Sequence, residues 1–143
     1  YDIVLEAQDK AIEACVPGNP FYITNTIATT VISQRLQELG LIKSPFEIRR
    51  YFMHGTSHYL GLDVHDAGTR GEFQPNTVIT VEPGIYIKEG SPCDPKWWNI
   101  GVRIEDDILI TDRLPENLSG CIPRSTKEIE KMMKLEPTLF KDF

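Results

Sequence analysis

"TVITVEPGIYI", Thr77–Ile87, is the stretch on which the fold turns, and it is paired in texture with "NIGVRIEDDILIT", Asn99–Thr111. Both are rich in Val, Ile and Thr and are bounded by Pro, Gly and Asn, the composition of strands rather than helices. Each carries a carboxylate in otherwise apolar company. Side chains alternate along a strand, so Glu82 shares a face with Thr80 and Val78 and sits against Pro83 at the strand's end. On the second run Arg103 and Glu105 share one face, with Val102 and Ile104 on the other. An uncompensated carboxylate in a buried strand costs several kcal/mol, so Glu105 is expected to have a partner. That partner is either an arginine, Arg103 or Arg70, or a divalent metal neutralising several carboxylates at once. Asp106 and Asp107 read as solvent-facing or turn-forming and receive no role.

The chain before these runs is helical. "YDIVLEAQDKAIEAC" places Ile3, Val4, Ala7, Ala11, Ile12 and Cys15 at helical spacing, and "PGNP" ends it. Thr24 or Asn25 is expected to cap a second helix whose apolar stripe is Ile27, Val31, Ile32, Leu36 and Leu39, closed by Gly40. Between the strand runs lies the polar loop "KEGSPCDPKWWN". At the far end "STKEIEKMM" carries a capping-box pair, Ser125 with Glu128, and predicts a short closing helix. No repeat, low-complexity tract or linker interrupts this order, which predicts one α+β domain.

The chain has 143 residues and is 41% hydrophobic, enough for one domain with a real core. A net charge of −6 gives no electrostatic reason to bind nucleic acid or an anionic membrane. No apolar run approaches the roughly 20 residues that span a bilayer. The three cysteines, Cys15, Cys93 and Cys121, are far apart and form no CxxC pair. They suit a reducing compartment, and a cytoplasmic location is expected.

All three histidines, His54, His58 and His65, fall inside "YFMHGTSHYLGLDVHDAG", Tyr51–Gly68. Clustered imidazoles point to metal ligation or proton handling. The HxxxH spacing of His54 and His58 is also that of the zincin helix, but Gly55 stands where that motif needs Glu, and Gly, Thr and Ser make a poor helix interior. On an extended strand residues 54 and 58 again share a face. Taken singly, each histidine is more often a hydrogen-bonded structural residue than a ligand. Two carboxylate-bearing strands beside the cluster shift the balance towards metal.

"HGTSHYLGLDVHDAG", "TVEPGIYI" and "GVRIEDDILIT" resemble, in order, the three C-terminal signature stretches of the pita-bread metallopeptidases. "HGTSH" and the trailing "ENLSGCIPRSTKEIEKMM" are nearest the Xaa-Pro aminopeptidase branch, with prolidase next. The resemblance implies a curved, mostly antiparallel sheet with helices packed on one face. It implies His58 and Glu82 as metal ligands and Glu105 as a ligand bridging two metals. His54 and His65 would line the substrate pocket and hold the scissile peptide and its developing charge, Glu82 would handle the proton of the attacking water, and Arg103 and Tyr86 would support the site. Oxygen-dominated ligation with one imidazole suits Mn²⁺, with Co²⁺, Fe²⁺ or Zn²⁺ as alternatives.

The implied activity is release of an N-terminal residue ahead of proline. Cleavage of Xaa-Pro dipeptides, or a peptidase-like binding module without catalysis, are the alternatives. Retention of all three ligand types weighs against the binding module and against a metal-free relative. Two further aspartate ligands of the family lie upstream of a helix resembling this chain's first segment, and no residues precede Tyr1. Residues 1–143 are therefore expected to be the C-terminal portion of the catalytic domain, inactive alone. An exposed sheet edge and apolar surface are expected to favour a homo-oligomer.

Overall fold

A computed structural model describes residues 1–135. Helix α1 runs over Asp2–Glu13 and α2 over Ile23–Glu38. A 3-10 turn at Pro45–Arg50 is opened by a capping box of Ser44 with Glu47. Five short strands follow: β1 (Val78–Val81), β2 (Gly84–Ile87), β3 (Ile100–Arg103), β4 (Asp106–Leu109) and β5 (Glu116–Asn117). Helix α3, Thr126–Met132, closes the described part, with the Ser125 hydroxyl accepting from the Glu128 N–H at 3.3 Å. No helix among the described residues is long and apolar enough to cross a membrane.

The expected α+β class and antiparallel pairing hold, but each strand run breaks in the middle. β1 pairs with β4 and β4 with β5, while β2 and β3 form a separate ladder. One break falls at Glu82–Pro83, where the proline removes a ladder donor. The other falls at Ile104–Glu105. The Ile104 N–H donates to the Pro83 carbonyl at 3.4 Å and stitches the two breaks together. Glu82 and Glu105 thus lie in adjacent bends, not within strands.

Helix α1 spans two apolar cores. Val4 and Ala7 face a cluster with Ile32, Leu36, Ile48, Tyr51, Ile85 and Ile87, while Ala11 joins Phe21, Phe73, Ile79, Val81 and Ile108 in a second. Fully buried side chains of this size stabilise by about 1.5–3 kcal/mol each. The tryptophan loop folds back onto the first cluster, with Trp98 Nε1 donating to the Ser91 carbonyl at 3.0 Å.

Three expectations need correction. Neither Thr24 nor Asn25 caps α2, which begins at Ile23 with no side-chain cap. Their side chains are engaged elsewhere: Thr24 Oγ1 accepts from Ser57 Oγ at 2.9 Å and Asn25 Oδ1 from Thr56 Oγ1 at 3.2 Å. Leu39 leaves the apolar stripe and is exposed. It stands at the helix end, where Gly40 (φ +72°) turns the chain and the Leu41 N–H reaches back to the Leu36 carbonyl at 2.9 Å. Asp106 is not solvent-facing but 3% exposed. Its partners, Ser119 and Arg124, lie well downstream, 2.7 and 3.0 Å away.

Candidate metal centre and cleft

Residues 56–60 run antiparallel to β1 on the side away from β4. The Glu82 N–H donates to the Thr56 carbonyl at 2.8 Å, Thr80 N–H to the His58 carbonyl at 2.9 Å, and Leu60 N–H to the Val78 carbonyl at 3.2 Å. The bonds from Thr56 and Ser57 to α2 hold this segment from behind. His58 therefore stands opposite Thr80, whose hydroxyl accepts from the His58 N–H at 3.1 Å and donates to Glu82 Oε1 at 3.2 Å. Thr80 shares the Glu82 face because side chains alternate, and one hydroxyl couples two candidate ligands. The neighbouring bend adds the third: one donor atom each from His58, Glu82 and Glu105 lies within 4.8 Å of the others.

Of the two partners considered for Glu105, the arginine is present. Arg103 Nη1 donates to Glu82 Oε2 at 2.7 Å and to Glu105 Oε2 at 2.5 Å. Partial burial pulls the guanidinium pKa down, but these bonds outweigh it and hold the group above its ordinary value. Arg70 lines the same cleft, yet among the described residues Glu105 is paired with Arg103. The expected burial of Glu105 is wrong: it lies at the break between β3 and β4, and its side chain is 35% exposed. What supports a cation is convergence. Nδ1 of His58 lies 2.9 Å from the Tyr59 carbonyl, which can only accept, so Nδ1 carries the hydrogen. In the neutral ring Nε2 then presents its lone pair, 3.2 Å from Glu82 Oε1. Two acceptors that close are relieved by a shared proton or a cation, and a backbone-anchored histidine beside two carboxylates fits a divalent metal.

His54, His58, His65, Glu82, Tyr86 and Arg103 line one open cleft of about 570 Å³. The His65 ring meets the His58 ring edge-on at 4.5 Å between centroids and is exposed. Both nitrogens of His54 are engaged, Nδ1 donating to the Gly55 carbonyl at 2.8 Å and Nε2 accepting from the Tyr86 hydroxyl at 2.9 Å. Desolvation raises the Tyr86 pKa, with Arg103 opposing and Glu82 adding to the shift, so the phenol stays a donor. Its ring lies back over Gly84, where any Cβ would come 2.6 Å from the hydroxyl. Thr80 was the functional residue easiest to miss; its signal was its place two residues before Glu82.

The profile of metallopeptidase family M24 matches residues 1–112. A Xaa-Pro aminopeptidase of Haemophilus influenzae is 39% identical, over 93% of this chain and 34% of its own length. Xaa-Pro aminopeptidase 3 of Rattus norvegicus is 40% identical, over 92% of this chain and 28% of its own length. The structure of Escherichia coli aminopeptidase P with the inhibitor Pro-Leu is similar with a TM-score of 0.88 at 38% identity, covering 93% of this chain and 33% of that one. Proline aminopeptidase P II from Yersinia pestis gives 0.89 at 39%, covering 95% and 34%. The chain spans about a third of the length of these relatives.

Proposed function

Because the chain belongs to metallopeptidase family M24, we propose that it is the C-terminal portion of the catalytic domain of an Xaa-Pro aminopeptidase, which releases the residue preceding an N-terminal proline bond. The observation that carries this reading is the meeting of His58, Glu82 and Glu105 within 4.8 Å, with His58 and Glu82 lining a cleft together with His54 and His65. His58 and Glu82 would hold one divalent metal and Glu105 would be shared with a second, whose other ligands would come from outside these residues. Bound there, the pair supplies Lewis acidity towards water and the scissile carbonyl. Mn²⁺ suits the oxygen-dominated set, although the relatives include a Zn-substituted E. coli aminopeptidase P.

The chain's own groups then divide the work. Glu82 receives the proton of the attacking water on a carboxylate oxygen and passes it on. His65, exposed at the rim beside His58, donates a hydrogen bond to the carbonyl oxygen as negative charge develops there. His54, tied to Tyr86 through Nε2, places the phenol hydroxyl against the substrate side of the cleft. Arg103 supplies positive charge to both carboxylates.

The cysteines Cys15, Cys93 and Cys121 are free, which supports a reducing compartment and a cytoplasmic protein. Exposed Leu62 and Val64, in the loop just before His65, support self-association. The test is hydrolysis by the full-length protein, stripped with chelator and reloaded with Mn²⁺. Release of the first residue from an Xaa-Pro-Xaa tripeptide is expected, with Xaa-Pro dipeptide cleaved poorly. Preference for the dipeptide would make the protein a prolidase, and no turnover with either would overturn the peptidase reading.

A further inference from the structure

The carboxylates Glu82 and Glu105 are held from behind the sheet by residues that never reach the cleft. Val81 and Asp106 form the last rung of the β1–β4 ladder. Glu82 follows the first directly and Glu105 precedes the second. The spacing of the two carboxylates therefore depends on how that rung is fixed.

Gln8, on α1, is 0% exposed, and its Nε2 donates to the Val81 carbonyl at 3.0 Å. Its Oε1 accepts from Arg124 Nη1 at 2.7 Å. The same nitrogen donates to Asp9 Oδ1 at 3.0 Å and stands 3.0 Å from Asp106 Oδ2. That carboxylate oxygen accepts no aligned hydrogen bond, so the Arg124 charge is what compensates it, while Oδ1 accepts from Ser119 Oγ at 2.7 Å. A continuous polar chain thus runs from the Val81 carbonyl through Gln8 and Arg124 to the Asp106 side chain, joining the two members of the rung by a second route. Gln8 and Asp106 are both buried, so each must keep its partner.

We propose that Gln8, Arg124 and Asp106 form a positioning clamp that sets the separation of the Glu82 and Glu105 carboxylates and so the affinity and geometry of the metal site. The clamp rests on the metal reading given above. None of the three touches metal or substrate; they act through the backbone of the rung.

The experiment uses the full-length protein loaded with Co²⁺ as a spectroscopic probe. Gln8→Met keeps volume and removes both Gln8 bonds. Arg124→Gln removes the charge that faces Asp106 together with the Nη1 donor to Gln8. Val4→Ala, in the other apolar cluster, is the control for destabilisation alone. Both clamp variants should shift the visible Co²⁺ bands, weaken metal binding by about tenfold or more in chelator competition, and lower kcat more than they raise KM. Val4→Ala should lower Tm and leave the bands and the metal dissociation constant as in wild type. Clamp variants with wild-type bands and affinity would overturn the proposal, as would a Val4→Ala that reproduces their changes. Wild-type protein that takes up no Co²⁺ would overturn the metal reading and the clamp with it, a result distinct from failure of the clamp alone.

Discussion

Nδ1 of His58 is held 2.9 Å from the carbonyl oxygen of Tyr59, the next residue in the chain. The ring's direction is fixed by backbone, and Nε2 is left facing Glu82. In the full-length protein His58→Ala should remove the one imidazole ligand and with it most of the bound metal. His65→Ala should leave metal content near wild type while lowering kcat on the order of 10²-fold, the usual scale for losing one transition-state donor. Elemental analysis beside steady-state kinetics separates the two; equal metal depletion in both would refute the division of roles.

Arg103 supplies positive charge to both carboxylates from one nitrogen. Arg103→Ala should lower the Tm of chelator-stripped protein by the worth of a half-exposed pair, about 1 kcal/mol or less. Mn²⁺ replaces that charge, so the rise in Tm on adding metal should be larger in the variant than in wild type. Melting curves with and without Mn²⁺ read this directly. A smaller rise would mean that Arg103 is needed to hold the ligands for metal.

The Tyr86 ring folds over Gly84, and a Cβ there would press on the hydroxyl end of the side chain. Gly84→Ala should therefore cost little stability, since the far end of a side chain can swing away. It should break the Tyr86–His54 bond, and misplacing a cleft group by about 1 Å can cost on the order of 10²-fold in rate. The expected outcome is a near-wild-type Tm with depressed kcat. Unchanged kcat would remove Tyr86 from the working site.

Glu6 is bonded by Arg35 and then Lys10, and these contacts hold its pKa at about 2 against an ordinary 4.5. A depressed carboxylate adds stability that is complete above pH 4.5 and is lost as pH falls towards 2. Glu6→Gln should be less stable than wild type at neutral pH, and the gap should close through that window. A gap that persists at the acid end would assign the loss to packing instead of charge.

A polypeptide of these 143 residues expressed alone should hold fewer than two metals and cleave no Xaa-Pro peptide, since it offers three converging donors. Metal stoichiometry and hydrolysis in added Mn²⁺ decide this. Two tightly held ions per chain would show that the ligand set has been misread.

The helices were legible because they rest on local pattern, the 3.6-residue spacing of Val4, Ala7 and Ala11, and alternation put Thr80 and Glu82 on one face; the candidate ligand set of His58, Glu82 and Glu105 rested on the resemblance of three signature stretches. The end of β1 at Pro83 was legible in the proline itself, but the break at Ile104–Glu105 was not, because no proline or glycine marks it. Asp106 was misread because its compensating charge, Arg124, sits far along the chain. Thr24 and Asn25 looked like caps until Thr56 and Ser57 claimed them. Gln8 could have been found, since it falls among Val4, Ala7 and Ala11 on the buried face, where a polar residue implies a buried partner. The capping box of Ser44 and Glu47 was also plain in "SPFE" and was overlooked.

The pairing of Val81 with Asp106, locked by Arg124, also carries a consequence for biosynthesis. A growing chain exposes Glu82 while β4 is still unmade, and β1 has only residues 56–60 to lie against. The Val81–Asp106 rung closes after β4 emerges, and Arg124 follows later still. Non-local pairing of this kind is slow, because loop-closure entropy is lost before any contact is gained. Ribosome stalling or truncation between Asp106 and Arg124 would therefore yield chains in which α1 and α2 are complete and the two carboxylates are not yet held together.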